Sequence, residues 1–357
     1  MSRLFRVIDT GLRGCREQIA FDQALIDAHK AGEIGDTVRF LQFPPSVLVG
    51  RHQIISQELN LPACRAAGVG IGRRITGGGA LYLDEGQFGW ELVFHRNTLG
   101  LGGLGEVAQA ICEAAADGLS RLGIDARFRP RNDIEVEGRK ISGTGGFFDG
   151  DTIFYQGTVL LDMDVGKMAS LLNIPAAKLA RHAQQDARQR VVTLRELQGG
   201  VMPDAARVKQ ALLQGFEDRL GIGMRIETIS AMEESRARDC FDEEIGRDDF
   251  VYEIDDPTQD AAVRSATVDT SGGRISAHLR LEGSLQNRIR EVLITGDFFV
   301  TPPNTVLNLE AALRGVLLTE VPATVAHFFA SNPTGLLSSP PSEFANVILR
   351  AAENTQS

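Results

Sequence analysis

The chain has 357 residues, with Lys and Arg numbering 37, Asp and Glu 47, and a formal net charge of -10. That length favours two domains over one, and the acidic balance argues against a general nucleic-acid binder. No stretch approaches a membrane span and the N-terminal residues lack a sustained apolar run, so the expectation is a cytoplasmic protein without membrane or nucleic-acid partners. The four cysteines, Cys15, Cys64, Cys112 and Cys240, show no Cys-x-x-Cys pair and no His at ligand spacing, which indicates neither a disulfide framework nor a zinc site.

Residues 5–8 read as a strand, and Ile19, Ala20, Leu25 and Ile26 recur at near-helical spacing to predict a helix over 15–31. Residues 37–42 and 46–50 are short apolar runs parted by Phe43, Pro44 and Pro45, a strand-turn-strand signal. After a short helical piece at 64–67, Gly68, Gly70 and Gly72 imitate the opening of a dinucleotide fingerprint. That reading fails, because Arg73 holds the third glycine position and strand-like residues follow where a helix is required.

Residues 73–84 then read Arg-Arg-Ile-Thr-Gly-Gly-Gly-Ala-Leu-Tyr-Leu-Asp. Consecutive glycines weaken a strand, so they call for another reason, such as a ligand lying directly on the backbone. Arg73, Arg74 and the exposed amides would favour an anion, although a tight hairpin with basic flanks fits the same residues. Alternation predicts a strand over 88–94. Val107, Ile111, Ala114, Ala115, Leu119 and Leu122 share one face of a helix over 105–122, with Cys112 as a small buried hydrophobe.

Residues 131–146 read as a strand, a tight turn at Glu137 and Gly138, a second strand and a glycine-rich bend. Asn132 and Asp133 open the first strand and Lys140 the second, and the register decides whether these ends meet. On these residues alone a solvated hairpin with a surface lysine and a turn-capping Asp is slightly the better reading. A strand over 152–161, containing Gln156, Gly157 and Thr158, leads to a helix over 165–172.

In order, Arg74-Ile75-Thr76-Gly77-Gly78-Gly79-Ala80 with Asp84, Asn132-Asp133, Gly138-Arg139-Lys140-Ile141-Ser142-Gly143-Thr144, Gln156-Gly157-Thr158 and Arg190-Val191-Val192-Thr193-Leu194 resemble the motifs of the lipoate-protein ligase family. Agreement of several motifs in order is far more specific than any one. The resemblance implies an α+β fold, with a mixed β-sheet catalytic domain of the biotin/lipoate ligase type and a small α+β C-terminal accessory domain. It implies that ATP activates lipoate or octanoate as an acyl-adenylate, and that the acyl group passes to a lysine of a lipoyl-accepting protein, a lipoyl domain or a glycine-cleavage H-like protein.

Under that resemblance Arg73, Arg74, Thr76, Gly77, Gly78, Gly79 and Asp84 hold the acyl substrate. Asn132, Asp133, Lys140, Ser142, Gly143 and Thr144 hold the nucleotide, Lys140 is catalytic as a point charge between acyl and phosphate oxygens, and Asp133 carries Mg²⁺. Octanoyltransferases of the superfamily use an acyl-thioester cysteine, before the hairpin lysine or in a Pro-Cys-Gly element after it. Here residues 128–132 and 173–177 contain no cysteine. Biotin ligases carry a Gly-Arg-Gly-Arg type loop, which Thr76-Gly77-Gly78-Gly79 is not. Leu83 and Gln156 stand where many members have His, and Gly145 where Ala is common. The alternatives kept open are ATP-independent lipoyl or octanoyl transfer between carrier proteins, and a non-catalytic lipoyl-protein binding module.

A helix is expected over 203–220, and the charged run 233–249 reads as a boundary with a solvated helix. This divides the chain into a catalytic domain at 1–235, a boundary at 236–250 and an accessory domain at 251–357. Strands are expected over 262–269, 273–282 and 286–296, then a helix over 305–314 and, past Pro340 and Pro341, a short final helix. Arg121, Arg127, Arg129, Arg131 and Arg139 are the candidate basic face for an acidic acceptor.

Overall fold

The computed structural model describes residues 3–130, 132–173, 190–332, 334–336 and 339–354. The first strand, β1 (Arg3–Leu12), leads through helix α1 (Cys15–Lys30) to β2 (Thr37–Gln42), β3 (Ser46–Val49), β4 (Gly70–Arg73), β5 (Leu81–Leu83) and β6 (Gln87–His95). Helix α2 (Leu104–Ser120) precedes β7 (Ala126–Arg129), β8 (Asp133–Val136), β9 (Arg139–Asp149) and β10 (Thr152–Leu160), and α3 (Ala205–Leu220) precedes β11 (Ile222–Ile226). The main sheet is eight-stranded, in the order β11-β1-β2-β6-β10-β9-β8-β7. It is mixed, since β1 runs parallel to β11 and β2 while the remaining pairs are antiparallel.

Both faces of this sheet are covered, which is why every residue of β6 except His95 is buried. On one face α2 and α3 pack with Phe5, Val38, Trp90 and Tyr155 into one core. These helices cross closely: a Cβ on Gly215 would lie 2.3 Å from the Ala114 carbonyl oxygen, and one on Gly118 2.6 Å from that of Ala211. On the other face α1 and the three-stranded sheet β4-β3-β5 enclose a second core. The expected strand-turn-strand at 37–50 is thus two strands of different sheets. Past the prolines the chain leaves β2, and β3 pairs with β4 and β5 instead.

The charged run after β11 is solvated on one side, as expected, and packed on the other. Helix α4 (Ala231–Cys240) packs along α1, starting from a capping box in which Ser230 and Glu233 satisfy each other's backbone amides. Glu233 is buried against Arg6, and Ala237, Ile245, Phe250 and Val251 join the second core.

The C-terminal unit is an antiparallel sheet of β12 (Arg264–Thr270), β13 (Gly273–Glu282) and β14 (Arg288–Gly296). Beyond β15 (Val300–Thr301), helices α5 (Thr305–Leu313), α6 (Val321–Ser331) and α7 (Pro341–Glu353) cover one face of that sheet, and β16 (Gly335–Leu336) pairs with β15. Phe344, Val347, Ile348 and Ala351 fall on one face of α7 and are fully buried. The strands match the expected segments to within two residues. Among the described residues no helix is long and apolar enough to cross a membrane.

Candidate active site

The loop between β4 and β5 and the β8-β9 hairpin face each other across a cavity of about 680 Å³. Its lining includes the apolar Ile19, Leu41, Phe43 and Leu48 and the polar Asn132, Asp133 and Lys140. Another cavity, of about 880 Å³, lies between Arg51 and the C-terminal sheet and includes neither the glycine loop nor Lys140.

Register resolves the hairpin. Asp133 opposes Gly143, and an irregularity between Ile134 and Glu135 sets Lys140 opposite Glu135. The Lys140 ammonium then reaches Asp133 Oδ1 at 2.7 Å, while the Arg129 guanidinium donates to Oδ2 at 2.6 Å. Burial alone would raise the Asp133 carboxyl, but Lys140 and Arg129 overcome it and hold it below the usual carboxylate range. Gly143 gives the lysine its room, since a Cβ there would lie 2.5 Å from Nζ. The Lys140 backbone is fixed from the other side by Val192, whose amide donates to its carbonyl at 2.9 Å, so the Arg-Val-x-x-Leu element braces the lysine strand.

Asn132 and Thr144 close the hairpin's far end. The Asn132 side-chain amide donates to the Thr144 carbonyl at 2.5 Å, and the Thr144 amide and hydroxyl both donate to the Asn132 carbonyl at 2.9 Å. Behind them the Tyr155 hydroxyl lies 2.6 Å from Thr144 Oγ1, and the Cys112 thiol 3.3 Å from it. Tyr155 is a member of this network that sequence patterning passes over, because strand alternation marks it only as core.

The glycine loop is braced by Arg74, whose guanidinium donates to the carbonyls of Leu48, Gly77 and Gly79 at 3.2, 3.1 and 2.8 Å. Burial lowers this guanidinium to about 10, so it stays charged at neutral pH. Thr76 faces the cavity and accepts from the Gln156 side-chain amide at 2.8 Å. Gly77, Gly78 and Gly79 all line the cavity, and Gly78 has a φ of 93°, where a side chain would be strained.

Three residues expected in the site face away from it. Arg73 is turned into a nest of carbonyls, donating to Gly50, Arg51, Gln53, Phe250 and Val251, and it does not line the cavity. Strand geometry explains this, since successive side chains point to opposite faces and only Arg74 shares the cavity side. Asp84 spends its oxygens on the Tyr82 hydroxyl at 2.9 Å and the Gly86 amide at 3.0 Å, so it shapes the β5-β6 turn. The Ser142 side chain lies on the face of β9 opposite Gly143 and is fully buried, with no hydrogen-bond partner among the described residues. His52, buried and stacked on Phe298, is held neutral by burial and by Arg51 and Arg73, its value falling to about 3.

Beneath the cavity lies a charged cluster that patterning missed. Arg39 is fully buried between Asp22, at 2.5 Å, and Glu91, at 2.9 Å. Burial raises both carboxyls against the pull of Arg39, and each bears on the other, so the pair titrates as one coupled unit. Phe299, which reaches the cavity from the C-terminal unit, was also missed.

Residues 15–217 match the family described as the lipoyl protein ligase A/B catalytic domain. The chain belongs to this family. Its relatives include lipoate-protein ligase A subunit 1 of Thermoplasma acidophilum, 26% identical over 66% of this chain and 91% of that protein. They also include octanoyltransferase LipM of Geobacillus kaustophilus, 29% identical over 64% of this chain and 91% of that one. Family membership therefore makes the protein an enzyme of the lipoate ligase and octanoyltransferase group.

Solved members share the architecture. A bi-partite lipoate protein ligase from T. acidophilum superposes with a TM-score of 0.64 at 25% identity, covering 71% of this chain and 98% of that one. Lipoate-protein ligase A bound with ATP gives 0.60 at 26% identity, covering 70% and 98%. P. falciparum LipL1 covers 97% of this chain and 99% of its own with a TM-score of 0.74, and at 17% identity it bears on the fold alone. The expected α+β architecture, with a mixed catalytic sheet and a small C-terminal unit, is the observed one.

Proposed function

We propose that the protein is an ATP-dependent lipoate-protein ligase. The observation that carries this reading, rather than octanoyl transfer through a thioester, is the location of the cysteines. Cys15, Cys64 and Cys112 are buried and Cys240 half-buried, and none of the four lines the cavity. Burial pushes all four thiols up, so none has the thiolate character that an acyl-enzyme needs. The segment after the lysine strand reads Ile174-Pro175-Ala176-Ala177, again without a cysteine; it lies outside the described residues.

Without a nucleophile of its own, the enzyme must make the carboxylate a good donor. The lipoate or octanoate carboxylate attacks the α-phosphorus of ATP and pyrophosphate leaves. The ε-amine of the acceptor lysine then attacks the acyl carbon, forming the amide and releasing AMP. Lys140 stands where its ammonium can meet the carboxylate and α-phosphate oxygens as negative charge gathers there. Arg74 and the amides of Gly77, Gly78 and Gly79 keep the loop open for the acyl group, while Asn132, Gly143 and Thr144 offer the nucleotide a backbone edge.

For Mg²⁺ the described residues hold no group of three His, Cys, Asp or Glu side chains suited to a metal, and Asp133 is already shared by two cations. This fits an ion brought in by the ATP phosphates, with Asp133 exchanging one cationic neighbour for it. The acceptor is a lipoyl domain or an H-like protein, and the reading calls for ATP and acceptor in one compartment, the cytoplasm. The C-terminal unit is an accessory domain. Residues through Val251 belong to the second core and the C-terminal unit has a core of its own, which supports a division near the end of the 236–250 boundary, with the accessory domain at 251–357.

The test is lipoate-dependent exchange of labelled pyrophosphate into ATP, without acceptor. The native chain exchanges, and Lys140→Ala lowers exchange by about 10²–10³-fold while remaining folded. A folded native chain that exchanges nothing, yet moves acyl groups between carrier proteins without ATP, would overturn the reading.

A further inference from the structure

The C-terminal unit touches the cavity through residues 296–301. The Gly296 amide donates to the His52 carbonyl at 2.9 Å, and the Phe298 ring stacks on His52 with centroids 5.1 Å apart. The Phe298 carbonyl accepts from the Gly78 amide at 3.4 Å, and Thr301 Oγ1 both accepts from and donates to the Phe148 backbone, at 2.6 and 2.7 Å. Between these anchors Phe299 projects into the cavity.

Two glycines make its room. A Cβ on Gly145 would lie 2.3 Å from Phe299 Cε1, and one on Gly78 2.8 Å from Cζ. Gly78 has its positive φ as a separate reason, but Gly145 has none. It stands inside strand β9 with an ordinary backbone, where glycine costs about 0.5–1 kcal/mol relative to alanine. The ring accounts for it. Gly145 also faces the same side as Gly143, one pleat repeat or about 7 Å along the strand from the residue that seats Lys140.

We propose that Phe299 is a specificity-determining residue. It is a wall of the acyl cavity, supplied by the C-terminal unit and admitted by Gly145, and it sets the cross-section of the acyl group accepted over the glycine loop. The inference rests on the reading of this cavity as the acyl site. A slender saturated chain passes beside the ring, whereas a chain ending in a ring of its own is opposed by it. The smaller the space left by Phe299, the stronger the preference for the slender chain.

Equilibrium binding of octanoate and of lipoate, measured by calorimetry without ATP, tests this independently of the chemistry that follows. Phe299→Ala shifts the affinity ratio toward lipoate by about fivefold or more. Gly145→Ala, which adds a methyl at a cavity-lining position and crowds the ring, shifts it the other way, and the double variant returns toward the Phe299→Ala value. A ring that merely docked the two units would change both affinities alike and leave the ratio within about twofold in every folded variant, which would overturn the inference. Should Gly145→Ala fail to fold, Phe299→Ala alone decides by the same ratio. If the native chain binds neither acid, the acyl-cavity reading falls and takes the inference with it. If it binds both and the ratio does not move, only the inference falls.

Discussion

Lys140 owes its position to residues that need not touch a substrate. Gly143 clears its path, Asp133 anchors its ammonium and Val192 fixes its carbonyl. The Asp133 contribution follows a definite sign. A carboxyl whose folded value is lowered stabilises the fold above its unfolded value, and that stability is lost as pH falls through the folded value, so the hairpin loosens only in acid. Arg73 is the opposite kind of residue, charged but structural. Replacing it with Met removes a donor from the Gly50, Arg51, Gln53, Phe250 and Val251 carbonyls; Gly50 keeps the Gln53 amide at 3.2 Å, and a carbonyl that neither water nor another amide reaches costs about 1–3 kcal/mol. Arg73→Met should lower stability by roughly 3–5 kcal/mol in a denaturant melt while leaving acyl affinity of the folded protein unchanged. A loss of affinity without a loss of stability would put Arg73 back at the ligand.

At the level of elements, helix α5 leans on β14 through one carboxyl. Glu310 accepts from the Ile294 amide at 2.7 Å, and burial lifts its value from 4.5 to about 7. Because the folded value lies above the unfolded one, the stability it contributes is complete below about pH 4.5 and is lost as pH rises through about 7. Glu310→Gln keeps the acceptor oxygen and removes the charge. It should stabilise the chain by roughly 1–3 kcal/mol at about pH 8 and by little at about pH 5, read from melting curves at both. Elements differ in how much of this the sequence discloses. The meander β12-β13-β14 and helices α2 and α3 are legible because one face is apolar at a clean period. Strands β7 and β11 are not, because each is a short strand at an edge of the main sheet that mixes arginine with its apolar residues. Asp22, Arg39 and Glu91 break the pattern for another reason: they form ion pairs with one another in the core, and pairing over such separations leaves no local signal.

Over the whole molecule, the acidic balance is not relieved by the expected basic face. Arg121 pairs with Asp117 and Asp218, Arg127 with Asp125, Arg129 with Asp133, and Arg139 with Glu196. Arg131 lies outside the described residues. The cavity-lining motifs were legible because glycines, Lys140 and the Asn132-Asp133 pair sit at sequence positions that local geometry demands. The approach of Phe299 to Gly78 and Gly145 was not, since it joins residues more than 150 positions apart that share no pattern. That approach also fixes how the protein behaves on dilution. The segment 296–301 is covalently continuous with the glycine loop it covers, so the ring meets the cavity at an effective concentration set by the chain itself, of order millimolar or above. Specific activity should therefore stay constant from micromolar to nanomolar protein; a fall on dilution would mean that the ring in use belongs to another molecule.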